Sequence, residues 1–163
     1  MIASILNLII IDKNSVSVKE LRKYLIARFG NSLNISSFYN SDSALKHIGS
    51  NTSIVILDNE SANENANDVL KAIKKINSKT EVIMLSSNEN ISAAIESFRN
   101  GATDFVLKGR KSRKKVGELV YGILIFPLHY MVHELRVGKL LSIFLLTFVS
   151  MGLAVFVYLN FFK

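Results

Sequence analysis

Four polar residues, Asp12, Asp58, Ser86 and Lys108, each come directly after a short apolar run. Short apolar runs that alternate with helix-length segments are typical of buried strands in a parallel sheet. Because ligands of such sheets bind beyond the carboxyl ends of the strands, we predict that two carboxylates, a hydroxyl and an ammonium converge at one edge. This set suits an oxyanion such as a phosphoryl group, or a cation between the carboxylates. Lys13 stands beside Asp12, where a second acid would complete a metal site.

The elements that must position these side chains are predicted to be five strands, each followed by a helix-length segment. The strands end at Ile11, Phe38, Leu57, Leu85 and Leu107. Strands that alternate with helices favour a doubly wound α/β sandwich. Right-handed crossovers then predict a flavodoxin-like five-stranded parallel sheet with the strand order 2-1-3-4-5.

Local signals predict where the helices begin and end. Ser17 and Glu20 have the spacing of a capping box, and Gly30 supplies a stop for that first helix. A later helix carries four apolar residues at helical spacing, namely Ile91, Ala94, Ile95 and Phe98. The fifth helix is expected to begin near Ser112 and to be broken or kinked at Pro127. Its apolar stripe, which suits packing on the sheet, comprises Val116, Leu119, Val120 and Ile123.

The net charge of +7 is unevenly distributed along the chain. Up to Gly109 there are twelve Lys/Arg and eleven Asp/Glu, whereas from Arg110 onward there are eight against two. A basic run at residues 110–115 therefore precedes the most apolar part of the chain. This position favours anionic lipid headgroups as the partner of the basic run, and no helix-turn-helix or other nucleic-acid-reading module follows it.

A membrane span is predicted from Leu140 to Phe162, because these 23 residues contain no charge. As a helix with about 1.5 Å rise per residue they would reach roughly 34 Å, enough to cross a hydrocarbon core of about 30 Å. The basic residues before the span predict a single pass with the N-terminal domain in the cytoplasm and the C-terminus outside. An alternative makes residues 116–133 a first span and the tail a second.

The predicted organisation is therefore a domain at residues 1–126, a juxtamembrane connector at 127–139 and a transmembrane helix at 140–162. The chain contains no cysteine, which excludes disulfides and thiolate metal sites. Its first residues lack the basic and apolar pattern of a secretory signal peptide, so insertion is expected to depend on the C-terminal segment.

The segment Gly101-Ala102-Thr103-Asp104-Phe105-Val106-Leu107-Lys108 closely resembles the end-of-sheet motif of response regulator receiver domains in two-component systems. The spacings between the four polar residues, 46, 28 and 22 positions, also fit that family. The resemblance covers about residues 5–126.

The resemblance implies a role for each matching residue. Asp58 would be the phosphoacceptor, and Asp12 together with Asp58 would hold Mg²⁺. Ser86 would donate a hydrogen bond to the transferred phosphoryl group, and Lys108 would pair with that group. Phe105 occupies the position of the switch aromatic of the family. Beyond phosphorylation and dephosphorylation of Asp58, the resemblance implies no enzyme activity.

Three departures from the family pattern bear on this chemistry. Lys13 replaces an acid that usually binds the metal, so Mg²⁺ binding is expected to be weakened, with the Lys13 ammonium standing in for the ion. The loop 59–63 lacks the usual proline and glycine, and Glu60 adds a negative charge there. Gly109 replaces the proline that normally follows the lysine.

Each of these residues also has a plain structural interpretation. Asp12 and Asp58 could simply begin loops, and Ser86 could cap the following helix, as Ser87 or Asn88 could. Phe105 could be a packed aromatic, and Lys108 could merely neutralise the aspartates. Lys13 could be an ordinary surface lysine.

The sequence thus favours a membrane-tethered, receiver-like signalling or scaffolding module with impaired phosphoacceptor chemistry. It would act through protein contacts made by the last helix and the neighbouring strand, with a histidine kinase or membrane-complex subunits as partners. One alternative is a response regulator phosphorylated at Asp58. Another is a structural subunit of a larger inner-membrane complex, which the small-residue spacing of Ser150 and Ala154 would suit.

Overall fold

The computed structural model describes residues 5–60, 65–134 and 146–150. The chain consists of two compact units, Met1–Leu124 and Ile125–Lys163. The first unit is an α/β sandwich that contains every strand in the described residues. In the second unit, residues 125–134 are helical, and so are residues 146–150.

A five-stranded parallel sheet in the order β2-β1-β3-β4-β5 forms the centre of the first unit. The strands are β1 Leu6–Ile11, β2 Leu33–Phe38, β3 Thr52–Asp58, β4 Glu81–Ser86 and β5 Asp104–Leu107. The central strands are buried on both faces, as their unbroken apolar runs predict. The predicted fold class and strand order are confirmed.

Helices cover both faces of the sheet. They are α1 Ser15–Phe29, α2 Ser41–Leu45, α3 Ala66–Ile76, α4 Ile91–Arg99 and α5 Ser112–Glu134. The helices α1 and α5 share one apolar core with the sheet, in which Leu21, Leu25 and Val120 are almost fully buried. A second core, around Leu70 and Ile73 of α3, fills the opposite face.

Helix α1 begins at Ser15 and is capped by Asn14, whose side chain accepts hydrogen bonds from the backbone N–H groups of Val16 and Ser17. The predicted capping box of Ser17 and Glu20 is therefore wrong. Asn14 instead satisfies free N–H groups of the first helical turn, three residues before the predicted cap. The predicted stop is confirmed, since Gly30 ends the helix with φ 53°.

Helix α4 has the predicted helical spacing but turns its large apolar side chains outward. Ile91, Ile95 and Phe98 are 75%, 47% and 49% exposed, whereas Ser97 is buried. The Ser97 hydroxyl donates to the Ala93 carbonyl oxygen and lies 3.1 Å from Asn67 Oδ1 of α3. A polar residue thus faces the core side of α4, and an apolar stripe remains on its surface.

Helix α5 packs on the sheet through the predicted stripe, with Val116 and Val120 buried and Leu119 and Ile123 beside them. The helix extends to Glu134 and includes Pro127, so the predicted break is not seen, while a kink at this proline stays a prediction.

The predicted transmembrane helix, from Leu140 to Phe162, lies almost entirely outside the described residues. Within the parts of the chain that the structure describes, no helix is both long enough and apolar enough to cross a membrane.

Candidate functional site

The four predicted site residues lie at the carboxyl end of the sheet. Asp58 and Ser86 are the last residues of β3 and β4, and Asp12 and Lys108 directly follow β1 and β5. Backbone hydrogen bonds keep these ends in register, because the Lys108 N–H donates to the Ser86 carbonyl oxygen at 2.8 Å. The arrangement follows from the alternation of strands and helices, which brings all parallel strand ends to one edge.

Asp58 and Lys108 form an ion pair in which Nζ lies 2.6 Å from Oδ1. The side chain of Asp58 is 1% exposed and that of Lys108 is 27% exposed. Because β4 separates β3 from β5, the lysine side chain crosses the end of β4 to reach its partner. A buried carboxylate requires a compensating charge or hydrogen bonds, and Lys108 supplies the charge.

Asp12 is 2% exposed and holds the start of α1 in place. Its Oδ1 accepts a hydrogen bond from the Asn14 N–H at 2.8 Å, and its own N–H donates to the Phe38 carbonyl oxygen. Asn14 then caps α1, so the first acid of the site and the first helix are joined by one short turn. Sequence reasoning missed Asn14, although an asparagine directly before a helix is a recognised start signal.

Lys13 is exposed, in contrast to the buried Asp12 that precedes it. Together with Lys108 it matches the two aspartates in number, so these four residues carry no net formal charge. A set of two carboxylates and two ammonium groups differs from an acid-rich metal centre, in which the cation is balanced by an excess of carboxylates.

The residues present do not fit a tightly held Mg²⁺ ion. Among the residues that the structure describes, no group of three or more Asp, Glu, His or Cys side chains could hold a metal. The two buried carboxylates, Asp12 and Asp58, are oxygen ligands of the type Mg²⁺ prefers, but Lys108 already contacts Asp58. The weakening of the metal site by Lys13 stays a prediction.

Ser86 is 1% exposed, and its hydroxyl is engaged locally. It donates to the Asn88 carbonyl oxygen at 3.2 Å and accepts from the Asn88 N–H at 3.1 Å. Helix α4 is capped by Asn90 instead, so Ser86, Ser87 and Asn88 are not its N-cap residues. A phosphoryl group bound at this edge would have to replace the hydrogen bond that Ser86 donates to Asn88.

Phe105 is half-buried on β5, where it pairs with Met84 and packs against the core that α3 covers. This is the position of a packed aromatic, and its predicted switch role stays a prediction.

Glu60, in the loop that follows Asp58, is exposed, and residues 61–64 of that loop lie outside the described residues. Gly109 accepts hydrogen bonds from the Ser112 N–H and hydroxyl, which positions the start of α5.

Comparisons with known proteins agree with this geometry. The family model described as response regulator receiver domain matches residues 8–118. Among solved structures, the receiver domain of NtrX from Brucella abortus is 25% identical, with a TM-score of 0.61, and the match covers 72% of this chain and 97% of that one. A response regulator from Thermotoga maritima is 19% identical, with a TM-score of 0.63 and coverage of 73% and 97%.

A response regulator protein from Burkholderia pseudomallei, whose structure contains a phosphorylated aspartic acid, a calcium ion and citrate, is 19% identical. Its TM-score is 0.61, and the match covers 82% of this chain and 74% of that chain. No curated protein matches the chain. Because the family model covers well over half of the residues, the chain belongs to the response regulator receiver domain family. Receiver domains act in signalling, typically bind Mg²⁺, and interact with histidine kinases and effector partners.

Proposed function

We propose that this protein is a membrane-tethered receiver module that acts through protein contacts and has impaired phosphoacceptor chemistry. The observation that carries the proposal is the composition of the site. Two buried aspartates remain, one of them is paired with Lys108, and a lysine follows the other. This set lacks the excess of carboxylates that would draw a divalent cation to the phosphoacceptor.

The impairment follows from what phosphoryl transfer requires. Catalysis depends mainly on positioning and on neutralising the charge of the phosphoryl oxygens. Lys108, which contacts Asp58, can supply one positive charge to that group. Lys13 adds charge without the oxygen-coordinating geometry of a metal ion, so it neutralises the site more than it organises a donor.

The protein contact is proposed to involve β5 and α5, with α4 beside them. Leu107 of β5 and Tyr121 of α5 are 42% and 51% exposed, and α4 adds the stripe of Ile91, Ile95 and Phe98. Exposed apolar side chains of this size are enriched where proteins associate. A histidine kinase, or subunits of a membrane complex, would be the partner class.

Tethering rests on the sequence of residues 140–162, which contains no charged residue, and on the basic residues that precede it. These features support a single pass through a bacterial inner membrane with the receiver domain in the cytoplasm. Membrane lipid is then a partner in its own right, and nucleic acid is not.

A second candidate function is that of a working phosphoacceptor. Asp58, Ser86 and Lys108 lie together at one edge, and the similar Burkholderia pseudomallei structure contains a phosphorylated aspartic acid. In this case a carboxylate oxygen of Asp58 attacks the phosphorus of a donor and forms an acyl phosphate. The bond from phosphorus to the donor breaks, and the leaving group keeps the electron pair.

Incubation with acetyl phosphate, with and without Mg²⁺, separates the two candidates when the product is read by intact mass. We expect little or no gain of one phosphoryl group on the full chain. The variant Lys13→Asp should gain it in a Mg²⁺-dependent way, while Lys19→Asp, which makes the same charge change on exposed α1, should not. A gain on the wild type that disappears in Asp58→Asn would establish the second candidate instead.

The structural-subunit alternative is favoured by the exposed stripe of α4, which would be covered within a complex. Extraction in mild detergent followed by sizing tests it. Proteins that co-purify at fixed stoichiometry would support a subunit role, whereas a lone monomer would count against it.

A further inference from the structure

The net positive charge of the chain is concentrated on one layer of the sandwich. Helix α1 carries four basic residues and one acidic residue, and residues 110–124 carry five and one. Together they amount to +7, which is the formal net charge of the whole chain. The remaining positions contain eleven basic and eleven acidic residues, so the rest of the chain is neutral.

These two segments form a single face, which we call the α1–α5 face and define as the exposed side of α1 and of residues 110–124. Both helices pack into the same apolar core, and Arg113 of α5 pairs with Glu20 of α1. Tyr24 approaches Gly117 so closely that a Cβ there would lie 2.8 Å from the tyrosine ring. All nine basic side chains of this face are exposed.

A groove of about 580 Å³ runs between the two helices on this face. Basic residues dominate its lining, with Lys23 from one side and Arg110, Arg113 and Lys114 from the other. Glu20 is the one acid among the residues that line it, and that acid is already paired with Arg113. The opposite layer differs, because α2, α3 and α4 together carry four basic and three acidic residues.

We propose that the α1–α5 face binds the anionic headgroups of the bilayer, so that the receiver domain lies on the membrane in one orientation. This inference rests on the proposed tethering. Lysine and arginine residues near an anionic leaflet each contribute to binding, and their long apolar stems suit the interfacial region. Exposed Val16 and Ile26, which are 63% and 47% accessible on α1, add apolar contact to the charges.

Lipid is favoured over an acidic macromolecule because the uncharged segment 140–162 would keep the domain beside headgroups at all times. A tethered partner acts at a high effective concentration, so a modest attraction to each headgroup is enough to orient the domain.

The absence of cysteine from the chain makes single-cysteine labelling a direct test. The full chain carrying Ala27→Cys, in the groove of the α1–α5 face, is reconstituted into vesicles of phosphatidylcholine alone or mixed with phosphatidylglycerol. Its rate of reaction with a membrane-impermeant maleimide is compared with that of Ser92→Cys, an exposed position on α4. This ratio corrects for molecules whose domain lies inside the vesicle.

We expect phosphatidylglycerol to slow the labelling of Ala27→Cys by about fivefold or more, the factor that one basic side chain near an anionic surface contributes. Ser92→Cys should be unaffected. High ionic strength should restore the rate, because it screens charges beyond a few ångströms. Equal rates for Ala27→Cys in both lipids would overturn the inference.

Two double charge-reversal variants distinguish binding by the α1–α5 face from a general effect of the net charge of the chain. Lys23→Glu with Lys114→Glu should abolish the protection, whereas Lys71→Glu with Lys75→Glu, an equal charge change on α3, should leave it. Equal loss in both pairs would contradict a specific face. Protection of Ala27→Cys by RNA or polyglutamate in neutral vesicles, without protection by phosphatidylglycerol, would replace lipid with a macromolecular partner.

The tether is tested separately by flotation with phosphatidylcholine vesicles after an alkaline carbonate wash. A chain that floats but shows no protection at Ala27→Cys retains the tether and loses the oriented face. A chain that fails to float, yet is protected when anionic vesicles are added, loses the tether and retains the lipid-binding face.

Discussion

At the scale of single residues, the pairing of Asp58 with Lys108 defines the state of the site. The carboxylate is almost fully buried, while more than a quarter of the lysine side chain is accessible to water. This asymmetry matters because a buried charge without a partner is much less stable than an exposed one. Lys108 can rotate into solvent when Asp58 is removed, but Asp58 has no such route.

We predict that Lys108→Met destabilises the protein more than Asp58→Asn does. The methionine variant removes the ammonium that contacts a buried carboxylate and should lower the free energy of unfolding by about 2–3 kcal/mol. The asparagine variant should cost about 1 kcal/mol or less, because the ammonium regains water. Urea unfolding of the full chain in mild detergent, monitored by circular dichroism, measures the free energy of unfolding of both variants. Equal losses would show that the buried carboxylate does not depend on this lysine.

At the scale of elements, helix α4 is held by a polar contact and presents its apolar residues to the outside. We predict that Ser97→Ala lowers the free energy of unfolding by about 1 kcal/mol, because Asn67 of α3 loses a buried hydrogen-bonding partner. Ile95→Ala, at a side chain that is 47% exposed, should change it by about 0.5 kcal/mol or less. A larger loss for Ile95→Ala would mean that the stripe is buried in the folded protein.

Two glycines of α5 provide a matched test of the contact with α1. Gly122 has open space where a Cβ would lie, so Gly122→Ala should stabilise the helix by about 0.5–1 kcal/mol through helix propensity. Gly117→Ala gains the same propensity, but its Cβ would meet Tyr24, whose hydroxyl also accepts a hydrogen bond from Arg28. We expect Gly117→Ala to be at least about 1 kcal/mol less favourable than Gly122→Ala in thermal unfolding. Similar values would indicate that the Tyr24 ring moves aside freely.

The sheet and its polar edge could be predicted from the sequence because a parallel sheet buries both faces of its strands. Unbroken apolar runs therefore mark β1, β3 and β4, and the polar residues that end them mark the functional edge. The orientation of α4 could not be predicted in this way. An apolar stripe at helical spacing shows that a helix is amphipathic, but not whether that stripe faces the core or a partner.

The helix caps near the site and the ion-pair partner of Lys108 could not be predicted from the sequence either. Several polar residues near each helix start could serve as caps, and Asn14 and Asn90 prevail over Ser17 and Ser86 through backbone geometry that spacing does not encode. In the same way, Lys108 could have faced either aspartate or solvent. Its pairing with Asp58 depends on the register in which Leu107 pairs with Ser86, because that register places Lys108 one residue past the ends of both β4 and β5.

At the scale of the whole molecule, charge and apolar sequence are segregated. The net positive charge lies on α1 and residues 110–124, a stripe of exposed apolar residues lies on α4, and the uncharged segment 140–162 lies near the C-terminus of the sequence. In the proposed arrangement, the α4 side is open to proteins while the α1–α5 face binds lipid.

Fusion of a reporter to each end of the chain tests the predicted topology. We expect a cytoplasm-active reporter to work at the N-terminus and a periplasm-active reporter to work after Lys163, because the basic residues precede the span. Deletion of residues 140–162 should move the protein from the membrane pellet to the supernatant. Cytoplasmic activity at both ends would instead favour the alternative with two spans.

Lys108 also links β5 to β3, two strands that have no hydrogen bonds to each other. Its side chain reaches from the end of β5 across β4 to the end of β3. β5 is the outermost strand on its side, with a single neighbour, so this lysine acts as a second attachment for it. Loss of the negative charge on Asp58 would release that attachment. Amide hydrogens of β5 would then exchange with deuterium sooner than those of β3, and the fraying of one marginal strand would report the charge state of a carboxylate two strands away.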